Sequence, residues 1–386
     1  MILTILLYFA VYSISILAFK TANDSASNKT RKRYIAIGII ILAIIASARD
    51  IHVGTDTQDT IVQFFFNQIG RSIRTEGIFS FLNSDIPYYL IANILHFLHL
   101  GEHSFLFVME LLILIPVGIV AYKKRESIPI HLTMLIFSLL YYQVGFNWIR
   151  QSAANAFVLL ALICFQEKKP QKAIILALVG IMVHTSALIG LSLLLFAYAF
   201  MRIRNKYVKA IFGIAFMFLF LYLISRWQNL FSFAIQSGIL PSRFSGYFRV
   251  FSGQTRVDSW FRVGIRTYID YFIRVLIVAL PVFATRKDFD ELELGNIKYY
   301  KIISLMAIII YSYILFTMHS AYGNRISYSI EYVQILTLGS TCSMRVSHGR
   351  TIPLRNILVI GLALIYNIWL YYVLGWHDTV PFVFGL

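Results

Sequence analysis

The run SFLFVMELLILIPVGIVA, residues 104–121, decides the fold class of this protein. It contains one charged side chain, Glu110, among apolar residues that favour removal from water. As an α-helix the run would extend about 27 Å at roughly 1.5 Å per residue. The hydrocarbon core of a bilayer is about 30 Å thick. We therefore predict that residues 104–121 form a transmembrane helix.

Further runs of the same character occur along the whole chain, and the composition agrees with them. Of the 386 residues, 59% are hydrophobic and only 13% are charged, which is too few to cover the surface of a soluble globule. We predict an all-α, polytopic integral membrane protein with about 12 transmembrane helices. The predicted spans are 1–19, 34–48, 104–121, 128–146, 150–166, 171–183, 186–201, 208–226, 264–284, 299–318, 326–343 and 355–373.

The first residues and the two cysteines are both interpreted as parts of membrane spans. Residues 1–19 lack a basic start and a small-residue cleavage site, so we interpret them as a first span and not as a removed signal peptide. Cys164 and Cys342 lie within predicted spans, and no disulfide framework is expected.

The apolar segment 87–100 is brief and contains two histidines, and we interpret it as an interfacial or re-entrant helix. With that interpretation all 13 lysines fall in connections on one side, and twelve arginines and no lysine fall on the other. The positive-inside rule then places both termini outside the cytoplasm, with two large external loops, 49–103 and 227–263. The net charge of +16 is explained by topology, so no nucleic-acid partner is expected.

An external face that uses arginine alone suggests an anionic ligand. The planar guanidinium binds phosphate or carboxylate through two parallel hydrogen bonds and stays ionised when partly buried. The alternative is a girdle of arginines whose stems lie along the membrane interface.

Two stretches on the predicted external side place arginine beside other polar groups. In ARDIHVGTDTQDT, 48–60, Arg49 follows a span, Gly54 permits a tight turn, and the Thr and Asp side chains can cap a helix or face sugar hydroxyls. In FNWIRQSAANAF, 146–157, the polar residues Asn147, Arg150 and Gln151 open a helix, whose N-terminus favours anions. The alternatives are an ordinary capped loop and an interfacial anchor.

A single histidine, His184 in VHTSALIG, 183–190, is predicted at the depth of Arg150. A neutral imidazole can accept a proton from a hydroxyl, although a hydrogen-bonded core histidine has the same sequence appearance. In residues 239–266, which include Arg243, arginines alternate with aromatic side chains. This pattern indicates either a surface for sugar rings or an amphipathic helix on the membrane.

Another span opens with Asn324 and Arg325, and it contains Glu331. A carboxylate within a span is costly unless it is paired, and Arg274 or Asp270 could enter such a network.

The chain lacks a Walker loop, a dinucleotide glycine fingerprint and an HExxH motif, so no cofactor is expected. The spacing of His96, His99 and His103 would place three imidazoles on one helix face, where a metal could bind. Histidines flanked by aromatic residues at a membrane interface are commoner, and we predict no metal site.

The motifs Arg49 with Gly54-Thr55-Asp56-Thr57, then Asn147-xx-Arg150-Gln151, then His184-Thr185-Ser186-Ala187 resemble the EpsG-like group of Wzy-type polysaccharide polymerases. Their order and spacing match over roughly the first 200 residues. The remainder is similar in its arginine-rich external loop, in the pair Asn324-Arg325, and in a short external tail from His377 to Leu386. The resemblance implies a single transmembrane polymerase domain over residues 1–386 with a GT-C-type architecture.

What the resemblance implies for chemistry is an inner-membrane glycosyltransferase with its active site on the periplasmic or external face. It would move a growing chain from undecaprenyl pyrophosphate onto a new lipid-linked oligosaccharide repeat unit, without cofactor or metal. The implied partners are this lipid-linked oligosaccharide, membrane lipid and a chain-length regulator protein. The candidate bases are His184 and then Asp56. The candidate pyrophosphate or substrate ligands are Arg49, Asn147, Arg150, Gln151, Arg243, Asn324 and Arg325.

Other membrane proteins share part of this pattern. A flippase for lipid-linked oligosaccharides also has about twelve spans and basic cavities, but it is expected to carry charge near the midplane between similar halves. An O-antigen ligase shares the chemistry with a different acceptor. A membrane acyltransferase would need its histidine on the cytoplasmic side, opposite to the predicted position of His184.

Overall fold

The computed structural model describes residues 2–66, 86–238, 265–280, 328–329, 331–343 and 354–385, together with 302, 305–306 and 308–309. In these residues the regular structure is helical, with one isolated backbone bridge between Arg49 and Phe384. The helices are α1 Ile2–Asp24, α2 Asn28–Ser47, α3 Thr57–Phe64, α4 Ile86–Phe97, α5 Glu102–Lys124, α6 Ile130–Leu140, α7 Val144–Asn147, α8 Ile149–Gln166, α9 Pro170–Val183, α10 Ala187–Arg202, α11 Lys206–Ser225, α12 Trp227–Gln236, α13 Ile265–Ala279, α14 Gln334–Ser343 and α15 Leu354–Asn367. A π-helical segment, Ile368–Val373, continues α15.

Most apolar runs within the described residues become these helices with small shifts at their ends, whereas the predicted span 299–318 lies almost wholly outside the described residues. By length and composition, five helical segments in the described part are able to cross a membrane. They are Ile2–Asp24, Glu102–Lys124, Ile149–Gln166, Lys206–Leu223 and Asn356–Val373. The prediction of a membrane protein built from helices is therefore confirmed.

The connections sort the helix termini between two ends of the bundle. The turns after α1, α5, α8 and α10 lie at one end, where all ten lysines of the described residues are found. Lys123 Nζ lies 2.6 Å from Glu167 Oε2, and Lys124 donates to Gln166. Cations in the last turn of α5 also complement its dipole. We call this the lysine end and the opposite one the site end.

The antiparallel helices α8 and α9 are in close contact. A Cβ on Gly180 would lie 3.2 Å from the backbone oxygen of Ala154, so glycine permits this approach. Because the two helices run in opposite directions, the end of α9 at His184 and the beginning of α8 at Arg150 both lie at the site end. This agrees with the depth predicted for the two residues.

One predicted span, 128–146, is divided in two. Helix α6 ends at Leu140, and a short turn leads to α7. Asn367 Nδ2 donates to the backbone oxygen of Leu139 at 2.7 Å, so this carbonyl accepts a hydrogen bond from a side chain of α15. The break arises from a tertiary contact, and it directs residues 141–148 into the site end.

The segment 87–100 forms the short helix α4, whose 12 residues extend about 18 Å, less than the bilayer core. Tyr88 near its beginning packs on Phe64, and His96 near its end packs on Phe65. Both ends of α4 thus contact adjacent residues, Phe64 and Phe65, at the site end. A helix whose two ends lie on the same side of the bundle is consistent with an interfacial or re-entrant helix.

The prediction that His96, His99 and His103 lie on one helix face is wrong. Helix α4 ends at Phe97, His99 has a φ of 56°, and α5 begins after Gly101. His96 Nε2 bonds to the Phe65 carbonyl, and His103 Nδ1 bonds to the Ser47 carbonyl, both at 2.7 Å. The imidazoles serve as separate structural contacts.

Candidate active site at the site end of the bundle

The C-terminal segment, residues 374–385, folds against the turn that follows α2. The N–H of Gly54 donates to the Asp378 carbonyl at 2.9 Å, and the N–H of Asp50 donates to the Val383 carbonyl at 2.7 Å. The Thr55 hydroxyl donates to the Asp378 carboxylate at 3.1 Å. The segment also reaches α1, where Tyr8 donates to the Thr379 carbonyl. These contacts join both ends of the described chain to the loop that carries the first motif.

Gly54 is required by this geometry. Its φ is +95°, and a Cβ would lie 2.8 Å from the Phe146 carbonyl oxygen and 2.7 Å from the Thr57 hydroxyl. The Thr57 hydroxyl donates to the carbonyls of Val53 and Phe146, both at 2.8 Å. The turn predicted at Gly54 is therefore confirmed, and it packs directly against the start of the second motif.

The expected cap of the next helix is different in the structure. Asp56 stands at the N-cap position of α3, but its side chain makes no capping hydrogen bond. Its N–H instead donates to Asn147 Oδ1 at 2.9 Å. Asn147 has both amide atoms engaged, since its Nδ2 lies 2.7 Å from His377 Nδ1. A single buried amide thus joins α3, α7 and the C-terminal segment.

Arg150 lies in the first turn of α8 and is half-buried. Its guanidinium carbon is 5.1 Å from the centre of the Phe64 ring, within the range of a cation–π contact. Stacking on a ring holds the plane of the guanidinium while the helix N-terminus adds positive electrostatic potential. The structure thus places Arg150 where the sequence predicted it, at a helix start suited to an anion.

Arg49 is in a different environment from Arg150. Only 1% of it is exposed, and its guanidinium faces the Phe146 ring at 4.4 Å and donates to the Ala46 carbonyl. Burial lowers the pKa of this guanidinium from its ordinary value, and attraction to Glu110 opposes the change. The C-terminal segment bridges its backbone at Phe384, so Arg49 supports the loop in this structure, and its predicted role as a pyrophosphate ligand stays a prediction.

His184 ends α9 and is half-buried. Its Nδ1 accepts the backbone N–H of Ser186 at 3.2 Å and contacts the Ser186 hydroxyl at 2.7 Å. An acceptor at Nδ1 means that the neutral ring carries its proton on Nε2. In this tautomer His184 presents a donor, which suits a phosphate oxygen better than it suits proton abstraction.

The predicted site residue Gln151 connects the His184 turn to α8. Gln151 Nε2 donates to the Ser329 hydroxyl at 3.3 Å, and that hydroxyl donates to the Ser186 carbonyl at 3.4 Å. Next to it, the Ser152 and Tyr328 hydroxyls lie 2.9 Å apart. The structure therefore unites the motifs at 147–151 and 183–186.

A cavity adjoins the start of α8, with an empty volume of about 430 Å³ that includes space open to the outside. One wall is aromatic and is formed by Tyr141, Trp148, Tyr328 and Tyr366. Sites for small ligands combine such walls with a few polar groups.

The polar groups of the cavity centre on Arg274. Its Nε lies 3.1 Å from Asp270 Oδ2, and its Nη1 lies 3.8 Å from Glu331 Oε1. The guanidinium carbon also lies 5.5 Å from the centre of the Trp376 ring. The network anticipated from the cost of Glu331 within a span is confirmed, with both suggested partners present.

The sequence did not single out His377, which lines the cavity and is 8% exposed. Its φ of +69° is unusual for a residue with a Cβ, and Asp378 follows with a φ of +48°. Histidine and aspartate after a glycine form a weak turn signal, and only the tertiary contact with Asn147 shows their importance.

Three predicted site residues, Arg243, Asn324 and Arg325, lie outside the described residues, and their roles stay predictions. In the described part no group of three His, Cys, Asp or Glu side chains is placed to hold a metal ion.

Comparison with known proteins gives one match. No curated protein and no solved structure was found to match the chain. A family model described as the EpsG family matches residues 32–384, which include every motif of the site end described above. The chain therefore belongs to the EpsG family, a family of exopolysaccharide and O-antigen polymerase-like proteins.

Proposed function

We propose that this protein is a membrane glycosyltransferase of GT-C type that polymerises oligosaccharide repeat units carried on undecaprenyl pyrophosphate. The growing chain is the donor. Its anomeric carbon bonds to a hydroxyl of a new lipid-linked unit, the carbon–oxygen bond to pyrophosphate breaks, and the lipid pyrophosphate leaves. The lipid pyrophosphate of the donor is itself the leaving group, so the reaction requires neither a nucleotide sugar nor ATP.

The observation that carries the proposal is that a cationic site and an aromatic cavity lie side by side at the beginning of α8. Arg150, stacked on Phe64, and Trp148, which lines the cavity, are two residues apart at the beginning of α8. A pyrophosphate favours the guanidinium and the helix N-terminus, and sugar rings favour the aromatic wall. Transfer from a lipid pyrophosphate to a hydroxyl of a sugar ring requires both groups side by side.

In this proposal Arg150 binds the departing pyrophosphate, with Arg325 and Arg243 as further candidate ligands from the sequence. Stabilising charge that develops on a leaving group is the largest contribution that a preorganised site makes. Asn147 and Gln151 position the start of α8 through their hydrogen bonds. Arg49 contributes through the loop it supports.

We further propose that the site end faces the periplasm or cell exterior and that the lysine end faces the cytoplasm of a bacterial inner membrane. The ten lysines at one end support this orientation through the positive-inside rule. A chain-length regulator protein is a proposed partner on the same side as the site.

The proposal is tested with purified protein in nanodiscs, given lipid-linked repeat units without nucleotide, ATP or added metal. We expect a ladder of products spaced by one repeat unit on a gel. Absence of a ladder with folded, monodisperse protein and intact substrate would contradict the proposal.

A flippase is the second candidate, since a buried cluster such as Asp270, Arg274 and Glu331 also occurs on transport paths. The same protein in proteoliposomes separates the two. Transfer of the lipid-linked unit between leaflets without polymer would establish a flippase. Transfer of chains only to an added lipid A core would establish a ligase.

The substitution His184→Gln tests the predicted role of this residue in chemistry. We expect normal insertion and a polymer yield reduced at least about tenfold, because a glutamine amide neither reproduces the position of the imidazole Nε2–H nor becomes positively charged. Gel ladders from equal amounts of protein measure the effect. Ser192→Ala, on the exposed face of α10, is the matched control. A normal ladder from His184→Gln would show that the histidine is structural.

A further inference from the structure

The cavity beside Trp148 has a chemistry that is unfavourable for an anion. Among its described lining residues the guanidinium of Arg274 is already held between Asp270 and Glu331. Because two carboxylates engage the one guanidinium among these lining residues, it is not available to pair with a pyrophosphate. A ligand of this cavity is therefore expected to be neutral and rich in hydroxyl groups.

Apart from Arg274, whose Nε faces Asp270, the lining residues leave two buried polar atoms without a hydrogen bond in the described part of the chain, Glu331 Oε1 and Gln334 Nε2. Buried polar atoms are nearly always paired, so each marks a place for a ligand atom. One is an acceptor and the other a donor. A sugar ring, whose hydroxyls donate and accept, matches this combination.

Glu331 and Gln334 are both held by Tyr141, which lies in the turn after α6. The Tyr141 hydroxyl lies 2.7 Å from the Glu331 backbone oxygen and 3.3 Å from Gln334 Oε1. Because Oε1 of Gln334 faces Tyr141, its Nε2 points away from that tyrosine. The backbone of Glu331 and the amide of Gln334 are therefore held beside the aromatic wall.

The hydrogen bonds also limit which group can remove a proton. The N–H of Asp56 fixes Asn147 Oδ1 as an acceptor, so Asn147 Nδ2 must donate to His377 Nδ1. Like His184, His377 then carries its proton on Nε2 when neutral. In neither neutral histidine is Nδ1 open to act as a base, and Glu331 is the one carboxylate among the described residues that line the cavity.

We propose that this cavity binds the terminal sugar of the acceptor and that Glu331 is the catalytic base, an inference that rests on the proposed function. The acceptor oxygen bonds to the anomeric carbon of the donor chain, and the bond from that carbon to the pyrophosphate oxygen breaks with its electron pair on the pyrophosphate. The hydroxyl proton passes to the Glu331 carboxylate. Gln334 donates a hydrogen bond to another oxygen of the sugar.

The test measures polymerisation rates for Glu331→Gln at varied concentrations of lipid-linked repeat unit. A general base contributes about 10²- to 10⁴-fold, so we expect kcat to fall about 100-fold. The amide keeps the shape of the side chain, and we expect the acceptor KM to stay within about threefold. Glu331→Asp, which retains a carboxylate, should recover part of the rate. Glu126→Gln, an exposed carboxylate at the lysine end, is the control for the same change in net charge.

Each outcome decides one part of the inference. A normal kcat in Glu331→Gln overturns the assignment of the base, and a raised KM with a normal kcat overturns it while supporting the sugar site. If the unaltered protein makes no polymer, the proposed function fails and the base with it. If Glu331→Gln does not accumulate, Gln334→Leu decides the site: an acceptor KM raised about tenfold supports it, and an unchanged KM overturns it.

Discussion

Arg150→Lys should lower polymer formation by between about 10²- and 10³-fold while leaving the protein at its normal level in the membrane. Lysine keeps the positive charge but replaces a planar fork by a point charge, so two parallel hydrogen bonds to the pyrophosphate are lost. It also loses the stacked position over Phe64, which holds the guanidinium 5.1 Å from the ring centre. The measurement is the initial rate of ladder formation, normalised to protein detected in purified nanodiscs.

The effect should appear in kcat more than in KM, because charge on the pyrophosphate develops as its bond to sugar breaks. Arg266→Lys is the matched control, since Arg266 is exposed near the beginning of α13. Equal rates in Arg150→Lys and in Arg266→Lys would remove Arg150 from the site. A loss of both rate and protein level in Arg150→Lys would assign it to folding.

Gly54→Ala should reduce both the stability of the protein and its activity severely. The new Cβ would lie within 3.0 Å of the Phe146 carbonyl oxygen and the Thr57 hydroxyl, and the φ of +95° is rare for alanine. Backbone atoms cannot move aside as a flexible side chain can, so we expect a loss of about 3–5 kcal/mol of stability. This loss is measured by heating the protein in detergent and recording how much soluble, monodisperse protein remains at each temperature.

Gly101→Ala provides the comparison for this substitution. Gly101 has an ordinary φ of −82°, and a Cβ there would meet no atom within 4 Å. We expect its thermal stability and ladder to match those of the unaltered protein. If Gly54→Ala behaved in the same way as Gly101→Ala, the loop after α2 would not pack on the 146–147 turn as described.

The sequence predicted the helices well because apolar runs of sufficient length have few alternatives in a bilayer. The boundary errors have tertiary causes. The run 128–146 is broken after Leu140, where Asn367 bonds to the Leu139 carbonyl from 228 residues away. No local pattern could show this contact. The GT-C architecture, the full number of spans and the arrangement of loops 49–103 and 227–263 stay predictions.

In the candidate site, local chemistry was predictable and long-range partners were not. The helix start at Arg150 and the turn at Gly54 follow from residue types, and both are confirmed. Arg49 is buried and bridged by the C-terminal segment, and no local pattern in the sequence indicates that contact. The Arg274 network could be anticipated because a carboxylate within a span needs a partner. His377 could not be anticipated, since its importance lies in a contact with Asn147.

The contact between the loop at 49–57 and the segment at 377–385 has a consequence for the order of folding. Thr55 and Asp378 are 323 positions apart, and Tyr8 and Thr379 are 371 apart. Closing such long loops is slow and is rewarded only after the intervening helices are in place. Helical hairpins such as α8–α9 involve neighbours in sequence and are expected to assemble early. Catalytic competence should therefore arise as a separate late phase, after the protein already resists proteolysis within its helices.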